Sequence, residues 1–234
     1  NHTILNNHIF QEHIDFFREK IWSYRRKGLR IFASSSFQTH SIPMLHIIAQ
    51  IDKGIPVYFL DTGYHFPETL AYKKEITHLL GLEVIELRSP VSKIFQRDEH
   101  NTLYFAIEPD YCCYLNKTLP MEPVLAENDV WITGVRRDQN ANRKTFDYEQ
   151  EAPRDIIRFH PMLDWTNKMI WQYINLHELP KHPLDDKGYF SVGCEPCTQK
   201  FNLEGGERSA RWQGLKKTEC GLHTDLASST NKSV

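Results

Sequence analysis

No apolar run in this 234-residue chain approaches the roughly 18 residues that a membrane-crossing helix needs; the longest, such as "IPVYFL", stop far short. No positively charged and then apolar leader follows the first residue, Asn1, so a soluble, cytoplasmic protein is expected. An excess of charge of one sign is missing too. Twenty-eight Lys and Arg stand against 30 Asp and Glu, a formal net charge of −2. That balance points neither to nucleic acid nor to an acidic membrane as partner. Internal repeats and long low-complexity tracts are absent. Cysteine is scarce and odd in number, with 5 in all. In a reducing compartment an odd count argues against a disulfide framework and for metal binding or thiol chemistry.

What is present is 40% hydrophobic residues and 12% aromatics, enough for one sizeable core and one domain with an appendage. Short runs rich in β-branched and aromatic residues recur at "LRIFAS" (29–34), "IPVYFLD" (55–61), "LEVIEL" (82–87), "DVWITGV" (129–135) and "IIRFHPM" (156–162). These read as buried strands. Helical patterns lie between them. "SIPMLHIIAQIDKG" places apolar residues at 42, 45, 48 and 51, "PETLAYKKEITHLLG" runs from Pro67 to Gly81, and "TNKMIWQYINLHEL" starts at a Thr166 cap. Strand and helix in alternation imply a doubly wound, mostly parallel α/β sheet covered on both faces. After Pro180 the pattern gives way to a Pro-, Gly- and charge-rich stretch, then to a double glycine at 205 and 206. We therefore divide the chain into a nucleotide-binding α/β body, 1–204, and a flexible C-terminal arm, 205–234.

In such sheets ligands bind beyond the carboxyl ends of the strands at the point where strand order reverses. That singles out the loops "ASSSFQTHS" and "LDTGYHFPET". Hydroxyls and amides at a helix N-terminus hold anions, which makes Ser34, Ser35, Ser36 and Ser41 candidates for phosphate-like oxygens. The alternative for these serines is capping alone. Asp61, Thr62 and Gly63 are candidates for a ribose or base.

Four cysteines pair up as Cys112 with Cys113 in "DYCCYLNK" and Cys194 with Cys197 in "SVGCEPCTQK". Four thiolates suit zinc or an iron-sulfur cluster, whereas a C-x-x-C taken alone also fits a redox pair. Neighbouring Cys side chains can turn toward one centre only on an unusual local backbone. Cys220, in "KTECGLH", is left over.

The serine-rich "SSSFQTHS", the segments "LDTGYHFPETL" and "TGVRRDQNANR", the paired "CC" and "CEPC", and the C-terminal "ERSARW" and "ECGLH" together resemble the sulfonucleotide reductases. This is the phosphoadenylyl-sulfate and adenylyl-sulfate reductase family of assimilatory sulfate reduction. The matches run from residue 30 to 223, and the co-occurrence of Cys-Cys, C-x-x-C and "ECGLH" is similar to its cluster-bearing adenylyl-sulfate reductase branch. One departure is Gln38, where the family often has glycine.

The resemblance implies a fold of the adenine-nucleotide α-hydrolase (PP-loop) type and a 4Fe-4S cluster on Cys112, Cys113, Cys194 and Cys197. It makes Cys220 the nucleophile on the substrate's sulfur, with His223 orienting or charge-stabilising the thiolate or the substrate. It places Lys117, Arg136 or Arg137, Arg208 and Arg211 around the phosphosulfate, and thioredoxin or glutaredoxin as reductant. A homo-oligomer is compatible with the sequence. Three rivals remain open: a reductase preferring phosphoadenylyl sulfate or accepting both nucleotides, an iron-sulfur redox sensor that binds nucleotide, and an ATP pyrophosphatase. The last would want an S-G-G-x-D-S loop, and "SSSFQTHS" carries neither its glycines nor its aspartate.

Overall fold

All five expected strands form, and a sixth joins them. In the computed structural model, which describes residues 2–139, 141–200, 211, 212, 217 and 219–224, the strands are β1 (Ile31–Ser34), β2 (Val57–Leu60), β3 (Val84–Leu87), β4 (Val130–Ile132), β5 (Glu149–Ala152) and β6 (Ile156–Phe159). They make one sheet in the order β3-β2-β1-β4-β6-β5, parallel throughout except where β5 runs antiparallel along β6. β5 escapes a pattern search because its sequence, EQEA, buries only Ala152. It is a short, charged edge, the kind that discourages pairing with a further strand.

The two-residue period of the strands sorts side chains to two faces. Ile31 and Ala33 of β1, Val130 and Ile132 of β4, and Phe159 of β6 enter one apolar layer. Phe32, Trp131 and Ile156, from the same strands, enter the other. The first layer is closed by four helices, the last of the four along the chain supplying Ile170, Tyr173 and Ile174. The helix α1 (His2–Arg26), which the sequence reading did not anticipate, contributes Phe10, Ile14, Phe17, Ile21 and Tyr24 at helical spacing. The helix α2 (Ile42–Ile51) contributes Ile42, Leu45 and Ile48, as its period predicts. α3 (Pro67–Leu80) packs beside it and ends at Gly81, whose φ of 61° is left-handed.

The long crossover from β3 to β4 carries the short α4 (Tyr104–Ile107) and α5 (Pro109–Cys113). A π-helical turn, Tyr114–Thr118, then leads into α6 (Leu119–Glu127). α6 covers the second layer with Met121, Val124 and Leu125. α7 (Asn167–Leu176) begins where expected, with Thr166 Oγ1 accepting the Met169 amide at 3.2 Å. A last turn, α8 (Gly221–Thr224), returns to the sheet and buries Leu222 in the second layer. Among the described residues no helix is long and apolar enough to cross a membrane.

Candidate functional site

Strand order turns at β1, whose successors lie on opposite sides of it, and a cleft of about 160 Å³ opens beyond the carboxyl ends of β1 and β4. One wall is the serine loop: Ser34, Ser35, Ser36 and Ser41 all border the cleft, with Gln38 among them. The loop is held by its own polar groups. Ser34 Oγ accepts the Trp131 indole N–H at 2.8 Å, and Ser35 Oγ accepts the Phe37 amide at 3.1 Å, where Phe37 has a φ of 53°. Ser41 precedes α2 yet makes no side-chain cap, so capping is not what that serine does.

The opposite wall comes from distant sequence. Lys117, Arg211, Cys220 and His223 border the cleft, together with Arg143, which had not been singled out. Lys117 Nζ lies 3.5 Å from Cys220 Sγ. Burial works against the lysine's charge, but the Cys220, Cys113 and Cys194 thiols beside it more than offset this and hold its pKa above the ordinary range. The pKa of Cys220 is pulled well below the ordinary thiol value. The Cys113 side chain hydrogen-bonded to it is the largest cause, burial opposes, and the Lys117 and Arg211 charges lower it further. Arg143 pairs with Glu219, the residue before Cys220, and both are buried. Arg158 of β6, wholly buried, donates from Nη2 to His223 Nδ1 at 2.8 Å.

Other expected residues stand elsewhere. The Asp61 carboxylate pairs with Arg88 at 2.8 Å and accepts the Gly63 amide. Gly63, with a φ of 71°, turns the chain so tightly that a Cβ there would approach Lys93 Cε at 3.0 Å. Thr62 faces the cysteines, its Oγ1 3.2 Å from Cys194 Sγ. Arg136 is buried with Nε on Asp138 at 2.9 Å, while Arg137 pairs with Asp164 and donates to the Phe146 carbonyl. Neither borders the cleft. Arg208 lies outside the described residues, as do Gly205 and Gly206.

Cys112, Cys113, Cys194 and Cys197 together line a second, smaller cavity that adjoins the first through Lys117, Arg211 and Cys194. The adjacent pair owes its placement to backbone: Cys112 and Cys113 close α5 just where the helix widens into the π turn. Asn116, in that turn, donates to the Cys112 carbonyl at 2.9 Å and lies 3.6 Å from its sulfur. Burial raises the Cys112 and Cys197 thiols, with Cys194 adding to each. Among the described residues no three donor side chains converge closely enough to grip a single ion. The four thiols line one small cavity, a donor set whose sulfurs fit a thiolate-bound metal group.

Two residues missed from the sequence had signals in it. Arg143 closes "TGVRRDQNANR" and Glu219 sits in "ECGLH", opposite charges in two quoted segments. Arg158 interrupts the apolar run "IIRFHPM", and a charge inside a buried strand is itself a functional flag.

Residues 30–200 match the phosphoadenosine phosphosulfate reductase domain family. The chain is 37% identical over 204 residues to the adenosine 5'-phosphosulfate reductase of Bacillus cytotoxicus, covering 86% of this chain and 87% of that one. It is 35% identical over 204 residues to adenosine 5'-phosphosulfate reductase 1 of Bacillus subtilis, covering 86% and 88%. Among solved structures it is similar to a phosphoadenylyl-sulfate reductase from Candida auris in a phosphate complex, with a TM-score of 0.61 at 21% identity over 79% of this chain and 95% of that one. An FMN adenylyltransferase from Candida glabrata gives a TM-score of 0.54 at 15% identity over 81% of this chain and 68% of that one. At these identities the structural likeness speaks for the fold alone, the doubly wound PP-loop type expected from the sequence.

Proposed function

Because the chain belongs to the phosphoadenosine phosphosulfate reductase family, we propose that it reduces adenylyl sulfate to sulfite and AMP through an S-sulfocysteine on Cys220, as an assimilatory, cytoplasmic enzyme served by thioredoxin or glutaredoxin. The observation that carries the reading is the Cys220 sulfur at the cleft wall, 3.5 Å from the Lys117 ammonium and facing a cleft walled by the serine loop.

The nucleotide lies in the cleft, its anionic end toward the cations. Ser36, Lys117 and Arg211 meet the phosphosulfate, and guanidinium suits such oxygens because it donates in a planar fork. An ordinary thiol, with a pKa of about 8.5, is mostly protonated at neutral pH. Lys117 and Arg211 keep Cys220 in its nucleophilic form. The thiolate attacks sulfur, an S–S bond forms, and the bond from sulfur to the phosphate oxygen breaks with AMP leaving. One thiolate of the dithiol donor then attacks Cys220 Sγ, releasing sulfite and forming a mixed disulfide. The donor's second thiol resolves that disulfide and returns the Cys220 thiolate. Both electrons come from the dithiol, so no other reductant is needed.

The four thiols around the second cavity suit a 4Fe-4S cluster, with Cys112, Cys113, Cys194 and Cys197 as its ligands. When bound it supplies a charged body beside Lys117, tuning the field in which Cys220 and the phosphosulfate meet. Residues 205–234 act as the arm that brings Cys220 to the substrate and then presents it to the donor protein.

The test is to mix enzyme with adenylyl sulfate in the absence of any dithiol. One AMP should be released and one SO₃ group should be found on the peptide containing Cys220, which thioredoxin then discharges as sulfite. An adduct on Cys194 or Cys197, or turnover by Cys220→Ser, overturns the reading. The same experiment with phosphoadenylyl sulfate reads the nucleotide preference.

A further inference from the structure

We propose that Thr133 determines nucleoside specificity in the cleft: a relay from Gln150 through His160 holds its hydroxyl as an acceptor, so the site takes a nucleotide whose nucleoside half presents a hydrogen-bond donor there. The inference rests on the reading of the cleft as a nucleotide site.

Thr133 follows β4, is buried and borders the cleft. Its hydroxyl makes one hydrogen bond among the described residues, to His160 Nδ1. What that hydroxyl offers a ligand therefore depends on which ring nitrogen of His160 carries a proton. His160 follows β6 and is wholly buried. Its amide donates to the Tyr148 carbonyl at 2.8 Å, its ring stacks on Phe146 with centroids 5.6 Å apart, and Nε2 lies 2.9 Å from Gln150 Oε1. A carboxamide oxygen only accepts, so Nε2 carries the hydrogen. The ring is neutral as well, since burial and the Arg158 and Arg143 charges disfavour the imidazolium and push its pKa down to about 3. Nδ1 is then a bare lone pair, and the bond to it must use the Thr133 hydrogen. The hydroxyl's one donor is engaged inside the protein, and what remains at Thr133 Oγ1 is an acceptor.

The charged, polar edge strand β5 has a role here. Gln150 supplies the oxygen that orients the ring, where a hydrocarbon side chain would leave both tautomers open. The neighbouring strand is set the other way. β1 and β4 run parallel with Ala33 opposite Ile132, and the residues that follow, Ser34 and Thr133, leave the sheet as neighbours. Ser34 Oγ accepts the Trp131 indole N–H at 2.8 Å, so its own hydrogen is available to a ligand. The Ser34 hydroxyl can donate, whereas the Thr133 hydroxyl only accepts. A nucleoside satisfies an acceptor with an exocyclic amine or a ribose hydroxyl. A carbonyl or an ionised phosphate oxygen at that point would set lone pair against lone pair and leave Thr133 unsatisfied.

Calorimetric titration of the full chain with AMP tests this. Thr133→Val should weaken AMP binding about tenfold, as for loss of one hydrogen bond, and Thr133→Ser should restore most of the affinity. Three analogues locate the donor: inosine 5'-monophosphate, in which the amine becomes a carbonyl, 2'-deoxy-AMP and 3'-deoxy-AMP. One of them should bind wild type about tenfold more weakly than AMP and be indifferent to Thr133→Val. An AMP affinity unchanged in Thr133→Val, or a loss that all three analogues show in full as well, overturns the proposal. The relay is read separately by two-bond ¹H–¹⁵N spectra of the full chain labelled with ¹⁵N-histidine, the His160 signals identified by their loss in His160→Gln. We expect a bare Nδ1 and a protonated Nε2. AMP should shift the Nδ1 resonance, because a bond accepted by the hydroxyl strengthens the one it donates. A protonated Nδ1, an imidazolium, or an Nδ1 that AMP does not move overturns the relay. If Thr133→Val does not fold, these wild-type spectra decide. Wild type that binds no AMP removes the nucleotide reading and this proposal with it, whereas equal affinity in wild type and Thr133→Val removes the proposal alone.

Discussion

Arg143 grips Glu219 with two nitrogens of its guanidinium, Nε and Nη2, each 2.9 Å from a carboxylate oxygen. One of those oxygens, Oε1, also accepts the Cys220 amide at 3.0 Å, so the place of the thiol follows from the pair. Arg143 comes from the loop after β4 and Glu219 from the last described segment, and their contact seats that segment on the body. Glu219→Gln keeps the shape and removes the charge from the pair, a change worth about 3–5 kcal/mol where a buried pair is broken. We expect adduct formation on Cys220 to slow about tenfold or more while AMP binds as before, measured by rapid-quench mass spectrometry and by titration. An unchanged rate would detach the pair from the reaction.

The thiols around the second cavity make a different prediction. Protein purified without oxygen should carry close to stoichiometric iron and sulfide, and Ser at Cys112, Cys113, Cys194 or Cys197 should lower both. Cys220→Ser should keep them, since Cys220 borders the cleft and not the second cavity. Colourless protein with one zinc and full activity would refute the cluster.

The sheet was legible because its strands are short apolar runs, and the two helices on which capping and period agreed, α3 and α7, stand where they were read. β5 was not, because an edge strand with one buried residue carries no apolar signal. α1 is hard to see in the sequence because its buried Phe10, Ile14, Phe17, Ile21 and Tyr24 are spread among charged and polar residues. At the site, single motifs pointed to the serine loop and to Cys220. Arg143 and Arg158 take their roles from partners 76 and 65 residues away, which sequence spacing does not disclose. Asp61 and Arg137 read as ligand residues yet are engaged by Arg88 and Asp164, pairings that sequence spacing does not disclose.

His160 gives the fold a pH dependence of known sign. It follows β6, hydrogen-bonds Thr133 and lies 2.9 Å from Gln150 Oε1. Burial, then the Arg158 and Arg143 charges, push its pKa down to about 3 from an ordinary 6.5. The unfolded chain therefore takes up a proton that the folded one refuses. The resulting stability is complete above about pH 6.5 and is lost as pH falls toward 3, at up to about 1.4 kcal/mol per unit. His160→Gln should flatten that part of the melting-temperature profile, compared by subtraction from wild type. Parallel profiles would mean that His160 titrates normally.

The last prediction concerns the two cations that border both cavities, Lys117 and Arg211. Each meets phosphosulfate charge in our reading, and a charge-assisted hydrogen bond is worth roughly 1.5–3 kcal/mol. Alanine at either position should then weaken adenylyl-sulfate binding by about ten- to a hundredfold, with iron content retained. Arg211 offers a second route to the same answer without touching its charge. Its guanidinium lies so close to Gly193 that a Cβ there would come within 2.3 Å of Nη2. Gly193→Ala must shift the arginine, because Cζ and Nη1 would lie 2.4 and 2.5 Å from the new Cβ as well. If Arg211 binds the substrate, Gly193→Ala should reproduce much of the affinity loss of Arg211→Ala, and the two changes together should cost little more than one. Equilibrium binding of adenylyl sulfate to Cys220→Ser, which holds the substrate unreacted, reads this directly. Wild-type affinity in Gly193→Ala and Arg211→Ala alike would remove Arg211 from the site.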